Sequence, residues 1–490
     1  MSKAKCTSLL FVRFVCKRPS SRQPSIAAIV RHVLLSFLFS SVALAAQPYS
    51  LPRLIERARS NSYRVREAQA RLEMLQAKYR EAQWAWFPRI NSYVAFGGPT
   101  AEAQNDGLGG PPTTQASLKY DFDFGSPGVT TSAGVDVVMP LFTFGKLTAL
   151  KKAGKKGVEA GKAFSIRARD EAELQVAQAY WAYCLAASGK RVIANALTRL
   201  KEAQEMLVRL RENDSAQVTN MDVYKLDYYR NLAQSQHAAT ENGMSAAFAA
   251  IRLVIGALPK EVVEIEETPL EDREGTLPPI ERYFGLAEHS RPELKAMNAG
   301  IGAREQEVLL RKRMYFPDFG VAGLFRWIWT TNTTRQYSPF AYDPYNDLTA
   351  GVFLVARYRW DFPLKHTQLE EARAALELLK HQKDLLASAV RLEIQKAWHK
   401  TRTAIVQSVK LKGAEKQARR WATAAFTAFD LGTGDIRELM DAYTAYASSS
   451  LQKAQADFAV RVGLHELTRA AGARVNLLPD AMPAESQIED

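Results

Sequence analysis

A mainly helical, internally duplicated chain carrying membrane β-strands is what this sequence predicts, and three observations predict it. Two runs without proline, Lys146 to about Arg211 and Lys365 to about Phe429, are each long enough to extend roughly 100 Å as a helix at 1.5 Å per residue. Related segments recur at the fixed offsets of 229 and 219 residues. Between the helical stretches lie short segments of strict apolar alternation, foremost "FPDFGVAGLFRWIW" from Phe316, where the period of two is that of a strand.

The chain begins with a targeting segment. Residues 1–46 hold Lys3, Lys5, Arg13, Lys17, Arg18, Arg22 and Arg31 and no acid, so 7 of the 13 net positive charges lie there. The apolar run "IAAIVRHVLLSFLFSSVALAAQ" follows, with the small-residue site Ala43-Leu44-Ala45 placing cleavage near Ala45 or Ala46. Most of the basic excess therefore belongs to a signal peptide, and no nucleic-acid partner is expected. Cys6 and Cys16 leave with it. Cys184, in "AQAYWAYCLAA", remains as a small helix-packing residue and no internal disulfide forms. Past the signal no segment is long and apolar enough for a transmembrane helix. An exported chain of this kind is periplasmic, extracellular, or set in an outer membrane through β-strands.

The repeat organises the rest. "FPRINSYVAFGG" from Phe87 resembles "FPDFGVAGLFRW" from Phe316, an offset of 229; "LFTFGKLTALKKA" from Leu141 matches "WDFPLKHTQLEEA" from Trp360, an offset of 219. "MDVYK" at Met221 matches "MDAYT" at Met440 at that same 219. The change of 10 places a longer loop in the first half, where loops absorb insertions readily. This gives a signal at 1–46, a first repeat at 47–255, an acidic, proline-bearing linker at 256–282, a second repeat at 283–472 and a flexible tail at 473–490. Each repeat reads helix, strand, loop, strand, very long helix, break, helix.

In the strands, Phe319, Val321, Phe325, Trp327 and Trp329 share one face. In "GVFLVARYRWDF", Val352, Leu354, Ala356, Tyr358, Trp360 and Phe362 share another, opposite Arg357, Arg359 and Asp361. Ile90, Val94 and Phe96, then Val135, Val137 and Met139, supply the first half. An apolar face with aromatics opposite a charged one is the pattern of a lipid-facing barrel strand with a polar lumen. Phe319, Phe325, Trp327, Tyr358 and Trp360 are the expected lipid-facing aromatics. Arg326, Arg357 and Arg359 are the expected lumen residues, with pairing to Asp361 or Asp318 an equally good reading of their charge. "LKYDFDFG" from Leu118 reads either as an external loop or as a strand extension. In the long helices, Ile193, Ala196, Leu200, Ala203, Leu207 and Leu210 are spaced 3, 4, 3, 4, 3, a coiled-coil seam.

This order of elements resembles the TolC-like outer-membrane efflux proteins over nearly the whole mature chain. The carriers are the duplicated hairpin and long-helix plan, "MPLFTFGK" at Met139, "RPEL" at Arg291, and "FDLGTGDIRELMDAYTAY" at Phe429. The resemblance implies a homotrimer in which long antiparallel helices form an α-barrel in the periplasm and each chain gives four strands to a shared twelve-stranded β-barrel. It implies an outer-membrane exit duct with a periplasmic adaptor and an inner-membrane pump or secretion ATPase as partners, and outer-membrane lipid around the barrel. A periplasmic coiled-coil scaffold without a pore is the alternative. The sequence departs from the family where Tyr, Arg and Asp often latch the entrance: Phe429, Gly434 and Asn220 occupy those positions. The first tip, "ENDSAQVTNMD", lacks the usual glycine, where Asn213 or Asp214 can take a left-handed turn. The turn "WDFPLK" must also differ from "PLFTFGK".

Glu438 and Asp441, at i and i+3, share one helix face. Spacing alone suits a solvated face. Under the resemblance these positions point into the narrowest part of the tunnel as a carboxylate ring, to which Asp222, aligned with Asp441, adds a second. No HExxH, Walker A, G-x-S-x-G or complete dinucleotide loop occurs, so neither an enzyme nor a cofactor or metal is expected.

Overall fold

The structure is a computed structural model that describes residues 48–100, 104–105, 118–119, 128–212, 219–270, 275–331, 345–431 and 433–473. The signal segment, Asn213, Asp214, Gly432, most of "LKYDFDFG" and the tail from 474 lie outside the described residues. The chain divides into two units, Met1–Pro48 with Val262–Glu264, and Tyr49–Glu261 with Ile265–Asp490. Of the first, only Pro48 and Val262–Glu264 are described; everything below concerns the second.

Its elements are α1 (Leu51–Asn61), α2 (Tyr63–Trp84), β1 (Arg89–Thr100), β2 (Gln104–Asn105), β3 (Leu118–Lys119), β4 (Gly128–Phe142), α3 (Lys146–Glu212) and α4 (Asn220–Val254). Then follow α5 (Ile280–Ser290), α6 (Pro292–Arg313), β5 (Asp318–Thr330), β6 (Asp347–Arg357), α7 (Phe362–Asp430) and α8 (Ile436–Ala471). The long helices α3 and α7 have 67 and 69 residues, and their partners α4 and α8 have 35 and 36. The fold is mainly helical with a few antiparallel strands. Among the described residues no helix is long and apolar enough to cross a membrane.

Helices α2, α3, α6 and α7 lie side by side in that order, and α3 also packs on α4 and α8. Close approach is set by small residues. A methyl at Gly154 would stand 3.2 Å from the Tyr79 ring, and one at Gly161 2.7 Å from Leu75, so α2 rests directly on the backbone of α3. The predicted seam is real where it is described: Ile193, Leu200, Ala203 and Leu207 are buried. The α7–α8 hairpin uses a different device. Thr401, Ser408 and Glu415, seven apart, meet Gly463, Asp457 and Ser450. Ser408 donates to the buried Asp457 carboxylate, Lys453 Nζ approaches its other oxygen at 2.9 Å, and Ser450 donates to Glu415 at 3.1 Å. Polar pairs inside a helical seam fix register, because a slip by one turn strands a buried charge.

The chain around α1 and the acidic segment is clamped to the helices. Arg57 forks onto both oxygens of Glu261 at 2.5 and 2.7 Å, and this bond holds the Glu261 carboxyl down at about 2. Tyr180 donates to the Glu266 carbonyl at 2.9 Å, and Trp398 to that of Pro278 at 3.0 Å. Gly256, at φ +63, passes where a methyl would lie 2.6 Å from the Asn61 carbonyl oxygen.

"RPEL" closes the end of α8. Pro292 opens α6, where its missing N–H costs no helical bond. Arg291 is buried and donates to the carbonyls of Arg469 and Ala470 at 2.9 and 2.7 Å, to Glu293 at 3.0 Å, and to Glu393. It thus satisfies the last carbonyls of α8 while neutralising two carboxylates. Replacing Arg291 by Met removes one of the two cations paired with the buried Glu293 and leaves it Arg167, 3.3 Å from its other oxygen. The expected loss is about 3 kcal/mol, the low end of the range for breaking a buried pair because Glu393 is partly exposed. Thermal melts of the detergent-solubilised protein check it; an unchanged midpoint would show that the cap carries no stability.

Candidate functional site: the four-stranded sheet and the far helix tips

The four long strands form one antiparallel sheet in the order β1-β4-β5-β6, and β2 pairs with β3 in a separate short ladder. Leu118 and Lys119 thus belong to a strand of their own. Register brings the four alternations together. Val94 lies opposite Ala133, Ala133 opposite Trp327, and Trp327 opposite Leu348; likewise Ile90, Val137, Gly323 and Val352 form one row. Directly paired residues share a face. One side of the sheet therefore presents Ile90, Val94, Phe96, Val135, Val137, Met139, Phe319, Val321, Phe325, Trp327, Trp329, Leu348, Val352 and Leu354. Val352 and Leu354 are 77% and 84% exposed, so none of the described residues covers this face there.

The other side carries Arg326, beside Gly134 and Thr349, and Arg357, opposite Asp318. It is not uniformly charged, since Leu324, Ile328, Phe353 and Val355 share its parity. Tyr93 lies flat on Gly134, where a methyl would meet its ring at 2.3 Å, which fills the space a glycine leaves in a sheet. Asp318 binds Lys146 Nζ at 2.9 Å, so its carboxylate is engaged away from Arg357.

Tyr358, Trp360 and Arg359 require correction. Strand β6 stops at Arg357 because β5 begins at Asp318, directly opposite, and offers no partner beyond it. These three residues stand on the connection to α7, so strand parity does not place their side chains. Tyr358, Trp360 and Phe362 instead form an edge-to-face row with centroid separations of 4.9 and 5.9 Å. Lys365 Nζ lies 4.2 Å from the Tyr358 ring centre and 3.1 Å from Asp361. The first half turns differently, through Phe144 and Gly145 at φ 49 and 78. Arg313 donates to the Gly145 carbonyl at 2.6 Å, and Phe144 stacks on Phe316 at 4.9 Å. An aromatic cluster thus marks the helical end of the sheet, as at a membrane–water interface.

At the far end, α4 and α8 begin side by side. Thr219 and Asp222 make a reciprocal cap: the Thr219 N–H and hydroxyl donate to Asp222 Oδ2 at 2.9 and 2.6 Å. The hydroxyl bond holds the buried Asp222 carboxyl below the usual carboxylate range. Asp222 is therefore a capping residue, and its expected place in a second ring is corrected. The signal was legible as T-x-x-D before an apolar run. On α8, Asp435 caps by accepting from the Arg437 N–H at 3.0 Å. Glu438 and Asp441 are both exposed on the first turns. Glu438 accepts from Trp421 Nε1 at 2.7 Å, and Asp441 lies 3.5 Å from Lys225 Nζ of α4. Of the positions that match the family latch, Phe429 is buried among Leu207, Leu439 and Met440, and Asn220 opens α4. Gly434 turns so tightly that a methyl would stand 2.7 Å from the Phe429 nitrogen.

Residues 54–257 match the sequence model of the outer membrane efflux protein family. No match was found among curated protein sequences. The solved outer-membrane channel OprN is 18% identical, with a TM-score of 0.66 over 86% of this chain and 90% of its own. The outer membrane protein VceC from Vibrio cholerae is 16% identical, with a TM-score of 0.67 over 86% of this chain and 96% of its own. The MtrE outer membrane channel of Neisseria gonorrhoeae, in its open state, is 15% identical, with a TM-score of 0.66 over 86% and 89%. At these identities the structures establish a common fold. Residues 54–257 thus carry the sequence pattern of that family, and the fold is the one these solved outer-membrane channels share.

Proposed function

We propose that the chain is the passive exit duct of a tripartite efflux or type I secretion system, working as a homotrimer. In this reading three four-stranded sheets close a twelve-stranded barrel in the outer membrane, the helices continue it as a tunnel through the periplasm, and an adaptor and an inner-membrane pump or secretion ATPase drive it. The observation that carries the reading is the uncovered apolar face of the sheet, rimmed at its helical end by aromatics. A scaffold without a pore has no use for such a face.

Two further features support closure by copies of the same chain. Strands β1 and β6 each have one unpaired edge, which lipid does not tolerate. Among the helices, α2 and α4 bound one side of the packed set and α7 the other. On α4, the exposed Ser235, Ala239, Asn242, Ala246, Ala249 and Leu253 are spaced 4, 3, 4, 3, 4; on α7, Leu378, Leu385 and Leu392 are exposed seven apart. Both stripes are exposed on edge helices, where neighbouring copies can cover them. Mass photometry of the solubilised mature protein is expected to give three chains. A monodisperse monomer would sink the proposal.

A further inference from the structure

The contact between α2 and α3 has two flanks, and they differ. Tyr79 on Gly154 and Leu75 on Gly161 define the contact line. At 100° per residue, and with the two helices antiparallel, Arg80 of α2 falls on the same flank as Lys151 and Lys155 of α3. Lys78 and Ala82 fall on the opposite flank with Lys146, whose ammonium group reaches Asp318 on the polar side of the sheet at 2.9 Å. The flank with Arg80 is thus the one continuous with the apolar side. Arg80, Lys151 and Lys155 are exposed, and Trp84 is 61% exposed. None of the three cations forms an ion pair with the described residues, and Glu159, the next acid along α3, is taken by Lys156 at 2.7 Å. The patch lies within three turns of the aromatic cluster that ends the sheet, beside Trp86 and Phe87.

We propose that this patch binds the headgroup of an anionic phospholipid in the leaflet nearest the helices. Three cations without an ion-pair partner among the described residues offer the phosphate and its extra charge a local field. The inference rests on the reading of the apolar sheet face as lipid-facing, which fixes the depth of the patch. The offset of 219 places Glu370 and Ala374 where Lys151 and Lys155 stand, so each chain carries one patch and not two.

The test is native mass spectrometry of the trimer from nanodiscs of equimolar phosphatidylglycerol and phosphatidylcholine. The wild type is expected to retain phosphatidylglycerol about tenfold over phosphatidylcholine, and the triple variant Arg80→Gln, Lys151→Gln, Lys155→Gln to lose that preference. Equal retention of both lipids by the wild type, or an unchanged preference in the triple variant, overturns the proposal. Quenching by brominated lipid, compared before and after Trp327→Phe and Trp329→Phe, reports separately on the sheet. If quenching depends on those two residues and the preference is absent, the patch has failed while the lipid-facing sheet stands. If quenching is independent of them, the underlying reading has failed.

Discussion

Val352→Arg is expected to abolish assembly in the outer membrane, whereas Val355→Arg is expected to be tolerated. The two positions lie three apart on β6 and so face opposite ways. Val352 is at mid-strand on the uncovered face, opposite Gly323, with no neighbouring side chain there to shelter a charge. An arginine at the middle of a lipid face costs about 2–4 kcal/mol in a membrane barrel, and a trimer carries it three times, about 6–12 kcal/mol in all. Val355 is on the other face, opposite Gly320, where Arg326 and Arg357 already reside. The measurement is the heat-modifiable trimer band in outer-membrane fractions. If Val352→Arg assembles as well as Val355→Arg, the apolar face does not meet lipid.

The second expected result concerns conduction. Single channels in planar bilayers should be cation-selective and blocked from the periplasmic side by multivalent cations. Changing Glu438 and Asp441 together to Ala should abolish the block and leave the trimer intact. In the proposed trimer, two carboxylates per chain would place six in one ring at the entrance, a strong field in a narrow aqueous opening. The structure makes this double variant a clean one. Glu438 and Asp441 are exposed and, among the described residues, their carboxylates meet Trp421 and Lys225, while the packing at the tip rests on Leu439, Met440 and Ala442. Asp222→Asn should behave differently, weakening the cap on α4 by about 1 kcal/mol without relieving block. Block that persists in the double variant would place the two carboxylates outside the tunnel.

Much of this molecule is legible in its residues because the signals are local. Helix length follows from the absence of proline between Lys146 and Arg211, and the seam from the 3–4 spacing of Ile193 to Leu207. The apolar parity of "FGVAGLFRWIW" needs no partner to be seen, and the repeat supplies the order of the rest. The tertiary structure decided what depends on a second segment. Alternation from Val352 runs on through Tyr358 and Trp360, yet the strand ends at Arg357, because strand is a property of pairs and Asp318 is the last partner. Asp222 and Asp441 are aligned by the repeat but have opposite fates. Asp222 is the third residue of α4, within reach of its own Thr219 cap, whereas Asp441 is the sixth of α8, one turn past the Asp435 cap and open to solvent. Arg291 reads in the sequence as part of a motif, and only the fold brings the end of α8 and Glu393 to it. A carboxylate's role follows from whether a donor reaches it first, and sequence position alone does not say which donors arrive.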